Sequence, residues 1–473
     1  EARDSSLLST YARVMSTELF EEFVEKVDRL DRPGTTVELR SVLAVDHDAI
    51  AKSNVGESSG RLILVKDNIE AVGLPATAGS LALDGVPVRG DAVLVARLRA
   101  AGLIVAGSTN LSEWANIRST GSSSGWSAVG GLTANPWALD RSAGGSSSGS
   151  GAAVAAGLVD VAIGTETDGS ITCPAALNGV VGIKPTVGSV PTAGVVPVSG
   201  SQDVPGPLAR NVDLAADVLA VIAGDADLVA RSRRVVVGNL RVGVARAWLT
   251  GHTATDRMFE EVLALIEREV RELRDCEVPD TETAVHEDEF TVLVHELKSD
   301  LDAYLADRVP IDSGRPRSIA EVIAFNEREA GRELIHFGQD IFERASACSG
   351  RDSDDYRAAR RRNVEWAQAR CFGPAFAAFD VLIAPAYAPA WKTDFVLGHP
   401  NAGGKVTTPA AIAGLPIVTI PMGLVAGLPV GVCLVGPSAS EERLIAVARR
   451  LEGRLGLVDD LSWRPTFSNP SRG

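Results

Sequence analysis

Three residues in this sequence have the types and the setting to carry out acyl transfer. They are Lys66, which follows Arg61-Leu-Ile-Leu-Val65, Ser146 in Gly144-Gly-Ser-Ser-Ser-Gly-Ser150, and Ser170 in Gly164-Thr-Glu-Thr-Asp-Gly-Ser170. A serine hydroxyl is too weakly acidic to attack an amide unaided, so a serine nucleophile needs a base. Neither serine motif contains a histidine, which leaves Lys66 as the candidate. An amine accepts a proton only when neutral, and burial at the end of an apolar strand favours that form. Each feature also has a plainer reading. By composition a Gly/Ser run is a flexible linker, and a lone lysine after a strand reads more readily as a solvated side chain. Context argues for the chemical reading. After the serines come an alanine-rich helical segment over 151–157, a Val-Ala-Ile strand and a second glycine-flanked serine, which is a packed environment. We read 144–170 as one active site.

The elements that must position these residues follow from periodicity. Leu19, Phe20, Phe23, Val24, Val27 and Leu30 recur at helical spacing over 17–31 before Pro33-Gly34 stops them. A strand over 61–65, a helix carrying Val93, Leu94, Ala96 and Leu98, and a strand over 103–106 alternate as in an α/β sheet. The stretch over about 225–375 is predicted helical and amphipathic, for example over 256–274 and 352–370, and strands return at 381–385, 411–421 and 427–435. This places a helical insert between two halves of one sheet. Acids surround the Arg360-Arg361-Arg362 run, which reads as a solvated helix face.

Composition excludes several functions. A net charge of −15 disfavours nucleic acid as a partner. No continuously apolar stretch is long enough for a membrane helix. Five cysteines (Cys173, Cys276, Cys348, Cys371, Cys433) without CxxC spacing, and six scattered histidines, suggest neither a disulfide framework nor a metal site. No cofactor is expected. The opening EARDSSLLST lacks the charged and long apolar regions of a retained signal peptide, while a processed one would leave no trace; the expected location is cytoplasmic.

Lys66 in VKDN, Ser146 in GGSSSGS, Ser170 in TETDGSI and the NGVVGIKPT run together resemble the amidase signature family, including its 24-residue separation of the two serines. TNLSEWAN, SGWSAVGG and SQDVPGPLAR are similar to the bacterial peptide amidases within it. The resemblance implies one amidase domain over 1–473, with a signature core over about 60–215 and a C-terminal sheet portion over about 376–473. It implies an α/β fold with a large mixed central sheet covered by helices on both faces. It also implies a relay in which Lys66 takes a proton from Ser146, Ser146 takes one from Ser170, and Ser170 attacks the carbonyl. A cis peptide bond is expected before Ser146. The backbone N–H groups of Thr167, Asp168, Gly169 and Ser170 are expected to meet the oxyanion.

Trp114, Ser119, Trp126, Thr172 and Cys173 are the residues expected to bind substrate, and Gln202 and Asp203 to brace the site. Many family members carry arginine where this chain has Thr172, which removes a partner for a substrate carboxylate. The expected reaction is hydrolysis of neutral carboxamides, C-terminal peptide or amino-acid amides, to acid and ammonia by a monomer or homodimer. The alternatives are an aryl or alkyl acylamidase, the amidase component of a glutamine-dependent amidotransferase, and an inactive binding module, the last disfavoured by the intact triad positions.

Overall fold

A computed structural model describes residues 2–54, 60–400, 403–456 and 464–469, with side chains from residue 15 onward. Parts of the C-terminal portion, residues 457–463 and 470–473, lie outside the described residues. Eleven strands form one sheet: β1 Val42–Val45, β2 Leu62–Lys66, β3 Ile104–Thr109, β4 Val161–Glu166, β5 Val181–Lys184, β6 Val204–Ala209, β7 Arg241–Val244, β8 Glu272–Asp275, β9 Val381–Pro385, β10 Ile417–Val425 and β11 Leu428–Val435. Their order across the sheet is β1, β3, β2, β4, β6, β5, β10, β11, β9, β7, β8. β2 is parallel to β3 and β4, and β7 is parallel to β8 and β9. The other neighbours are antiparallel, so the sheet is mixed.

β2 shows why both faces are covered. Its residues are all buried, as a continuous apolar run requires. Ile63 and Val65 point into one core with Leu94, Val95 and Leu98 of the helix Val93–Ala100. Leu62 and Leu64 point into another, with Ala153 and Val154 of the helix Ser148–Ala155 and Phe20, Phe23 and Val27 of the helix Ala2–Leu30. The period of two sends alternate residues to opposite helical layers.

Register then sets the position of the chemistry. Lys66 pairs with Thr109, and Val65 with Ile163, so the carboxyl ends of β2, β3 and β4 coincide. Val204, the first residue of β6, pairs with Glu166 at the same end. The loops gathered there are where α/β sheets place their ligands.

The region over 225–375 differs from its helical expectation. It supplies the two strands β7 and β8, and the helix expected over 256–274 is Thr253–Ile266. Glu272-Leu-Arg-Asp275 has little strand propensity of its own. It becomes the sheet's last strand by pairing in parallel with β7, Arg241 against Glu272. The helix expected over 352–370 is Asp354–Glu365 followed by a π-helical turn, Trp366–Phe372. Its arginine run is engaged: Arg362 pairs with Asp288, and Arg360 donates to the Ile412 carbonyl at 3.2 Å.

Candidate active site

Every serine of the Gly/Ser run is fully buried. Ser147 Oγ donates to the Thr165 carbonyl at 3.0 Å, Ser150 Oγ to that of Ile163 at 3.0 Å, and Ser148 Oγ to that of Gly144. Each serine hydroxyl thus fixes one turn of chain against β4 or its own loop, and the helix Ser148–Ala155 is buried along its length. The Gly145–Ser146 peptide bond is cis. A Cβ on Gly145 would stand 2.3 Å from Ser112 Oγ, so a larger residue there would force that side chain to move. Three successive left-handed residues, Trp114, Ala115 and Asn116, turn the neighbouring loop. That loop lets Ser112 N–H donate to the Ser146 carbonyl at 3.0 Å.

Lys66, the last residue of β2, is completely buried. Its Nζ lies 2.8 Å from Ser146 Oγ, 2.8 Å from Thr165 Oγ1 and 3.2 Å from the Thr165 carbonyl. Asn68 Nδ2 also donates to Thr165 Oγ1, at 3.0 Å. Burial lowers the lysine to about 7, against the opposing pull of Asp203 and Glu166. A neutral amine has two N–H donors and one lone pair. The Thr165 carbonyl can only accept; with Thr165 Oγ1 taking the second N–H of the neutral amine, its lone pair would face the Ser146 hydroxyl.

Ser170 follows β4 by four residues and is 7% exposed, whereas Ser146 is 0% exposed. Its carbonyl accepts from Ser147 N–H at 3.2 Å, which holds it beside the second serine. Gly169 before it has φ +76°, and a Cβ there would come 2.8 Å from the Tyr387 hydroxyl. The next two N–H groups, of Ile171 and Thr172, both donate to Glu166 Oε2, at 2.6 and 2.8 Å. Among the described residues, the N–H groups of Gly169 and Ser170 donate to no protein acceptor. Thr167 Oγ1 donates to Asp203 Oδ1 at 2.6 Å, and burial raises Asp203 to about 6.

The expected substrate-binding residues separate. Cys173 is packed with Leu177, Ala390, Tyr387 and Trp391, and burial pushes its thiol up to about 12. Trp126 is held edge-on by His336 and Phe337. Trp114 instead sits in a core cluster, edge-on to Phe342. Ser119 Oγ donates to Asp340 Oδ1 at 2.5 Å, which ties its loop to the insert. Thr172 Oγ1 faces Glu166 Oε1 at 3.4 Å. Sequence reading missed Thr165, Glu166 and Lys184, all buried at the ends of strands, and Tyr387, which lies far along the chain. Lys184, lowered by burial to about 8, donates to the Leu415 carbonyl at 2.8 Å.

The fold and the family match together define an amide hydrolase. The sequence matches the family described as Amidase over residues 37–445, and the chain belongs to that family as an amide hydrolase. The solved structure of the native peptide amidase from Stenotrophomonas maltophilia superposes with a TM-score of 0.86 at 39% identity, over 93% of this chain and 94% of that one. A probable amidase of Arabidopsis thaliana is 33% identical over 93% of this chain and 87% of its own length. One component of the glutamyl-tRNA(Gln) amidotransferase of Symbiobacterium thermophilum is 34% identical, over 84% of this chain and 83% of its own. Among the described residues no helix is long and apolar enough to cross a membrane.

Proposed function

We propose that the chain hydrolyses neutral carboxamides, C-terminal peptide amides or amino-acid amides, to the carboxylic acid and ammonia through Ser170, Ser146 and Lys66. The observation that carries this reading is the set of contacts around Lys66, which leaves an amine lone pair 2.8 Å from Ser146 Oγ. Neutral Lys66 takes the Ser146 proton as Ser146 takes that of Ser170, and Ser170 Oγ attacks the carboxamide carbon. The developing oxyanion meets backbone N–H groups of the segment 167–170, each such donor contributing roughly 3 kcal/mol to the transition state. The relay then returns a proton to the leaving nitrogen, ammonia departs, and water repeats the cycle on the acyl-serine.

The peptide-amide substrate is supported by likeness to the peptide amidase fold over nearly the whole chain and by Thr172, whose short side chain offers no cation for a substrate carboxylate. Likeness to amidotransferase components favours a second reading, ammonia delivery to a partner. The five cysteines are unbridged, in keeping with a reducing cytoplasm. The test is ammonia release from an N-blocked amino-acid amide by the isolated chain, with an intact-mass adduct on Ser170 after treatment with a sulfonyl fluoride. Turnover without a partner and loss of both signals in Ser170→Ala are expected. An adduct on another residue would overturn the assignment of the nucleophile.

A further inference from the structure

The catalytic roles above leave two acids beside the nucleophile unused. Asp168 stands two residues before Ser170 and is half-buried. Its Oδ2 accepts from Thr408 Oγ1 at 2.6 Å. Its Oδ1 is shielded from solvent and receives no ordinary donor among the described residues. The side chain of Asp168 neighbours the carboxyl of Glu289, on the insert helix Thr283–Arg308. Glu289 is itself buried, and its Oε1 accepts from Gln202 Nε2 at 3.1 Å. The same amide reaches the Thr167 carbonyl at 3.5 Å.

Ionised carboxylates only accept, so a hydrogen bond between two carboxyls requires one proton between them. Two like charges in contact and out of water cannot both persist. Burial and the neighbouring Asp168 push Glu289 well above the ordinary carboxylate range. Gln202 donates to Oε1, which leaves the other Glu289 oxygen free to carry the proton, so the pair as a whole holds one negative charge. Among the described residues neither acid has an ion-pair partner. The nearest cation, Lys184, donates to the Leu415 carbonyl and is shared between the fields of Glu166 and Asp168, so it is no private counter-ion to the pair; Lys66 is turned to Thr165 and Ser146, and the Tyr387 phenol nearby is pushed up by burial. The remaining acid, Asp203, adds no positive charge.

We propose that the Asp168–Glu289 pair is the charge-selecting element of the substrate pocket. Its single negative charge accepts hydrogen bonds from N–H donors near the scissile carboxamide, including the ammonium of a free amino-acid amide, and repels carboxylates. This rests on amide hydrolysis at Ser170 and adds the reason for its selectivity. The same charge acts on the product, because hydrolysis converts a neutral carboxamide into a carboxylate that the pair repels.

The experiment compares kcat/KM at neutral pH for phenylalaninamide, N-acetylphenylalaninamide and N-succinylphenylalaninamide, which share one scissile bond and carry positive, zero and negative charge. The wild type is expected to disfavour the succinyl substrate. In the double variant Asp168→Asn/Glu289→Gln the succinyl-to-acetyl ratio should rise at least about tenfold, chiefly through KM, since one charge has left a poorly solvated site. A purely structural role would lower all three rates alike. If the double variant folds without turnover, calorimetric binding of N-acetylphenylalanine replaces the rate, and binding at least about tenfold tighter than to wild type is expected. Glu289→Gln, whose amide keeps a donor toward Asp168, should retain the discrimination and lose one infrared band of a protonated carboxyl. Equal ratios in wild type and double variant, equal binding of the acid, or an unchanged infrared band would overturn the proposal. No turnover of any substrate by the wild type would instead remove the amidase reading, while the infrared band would still decide the state of the pair.

Discussion

In the proposed mechanism, Lys66 concentrates the chemistry of this chain in one protonation equilibrium. The amine works as a base only when neutral, and burial brings it to about 7. Below that value the ammonium dominates and has no lone pair for Ser146, so kcat/KM should rise with pH, levelling off above about 7. The negative charge of Asp203 opposes the lowering. Its removal in Asp203→Asn therefore destabilises the ammonium further and should move the limb to lower pH. Lys66→Arg keeps the positive charge but stays protonated throughout the accessible range. It should be as inactive as Lys66→Ala, with a loss of kcat on the order of 10⁴-fold or more, as for other unassisted serine nucleophiles. A pH–rate profile flat between 5 and 9 (roughly the range that spans such a group), or an active arginine variant, would show that Lys66 is not the base. This residue was legible in the sequence as a lysine closing an apolar strand. Its partner Thr165 was not, because a threonine in a strand is ordinary β-sheet composition and its role arises only from the register of β2 against β4.

At the level of elements, the helix Ser148–Ala155 shows how composition misleads. Glycine and serine at its start lower helix propensity, yet the segment forms a buried helix because only small residues permit its approach to neighbouring backbone. A Cβ on Gly149 would lie 2.3 Å from the Ser41 carbonyl oxygen and 2.6 Å from Asn110 N and O, which are backbone atoms that cannot swing aside. Gly149→Ala, which would stabilise an isolated helix, should here destabilise the protein by about 1–3 kcal/mol as an overpacked substitution. The measurement is the midpoint of urea unfolding at an unchanged slope; a midpoint at or above wild type would show that the helix has room. The strand β8 misled in the opposite way. Its Glu-Leu-Arg-Asp sequence continues the amphipathic pattern of the helix before it, and only pairing with β7 makes it a strand.

At the scale of the whole molecule, the question is how an insert remote in sequence is held against the signature core. Part of the answer is a fully buried cluster, invisible to periodicity because its members lie on three separate segments. Arg118 Nη1 donates to Glu113 Oε1 at 2.7 Å and to Glu333 Oε2 at 3.2 Å, and all three side chains have no solvent exposure. Glu333 Oε1 also accepts from Ser80 Oγ at 3.0 Å and Leu81 N–H at 2.7 Å, so the insert is tied to two loops of the core. One cation cannot balance two buried carboxylates. Burial and the adjacent Glu333 accordingly raise Glu113 well above its usual value, which favours its protonated form. This assigns opposite outcomes to two substitutions in one cluster. Arg118→Ala leaves a buried carboxylate without its cation and also removes the guanidinium stacked 4.3 Å from the Phe337 ring centre; the cost should be about 3–5 kcal/mol. Glu113→Gln replaces a protonated carboxyl with an amide of the same shape, and its cost should stay within about 1 kcal/mol. Thermal unfolding of both variants at neutral pH decides the matter. A Glu113→Gln protein as unstable as Arg118→Ala would mean that Glu113 is ionised and that the cluster is held by two ion pairs.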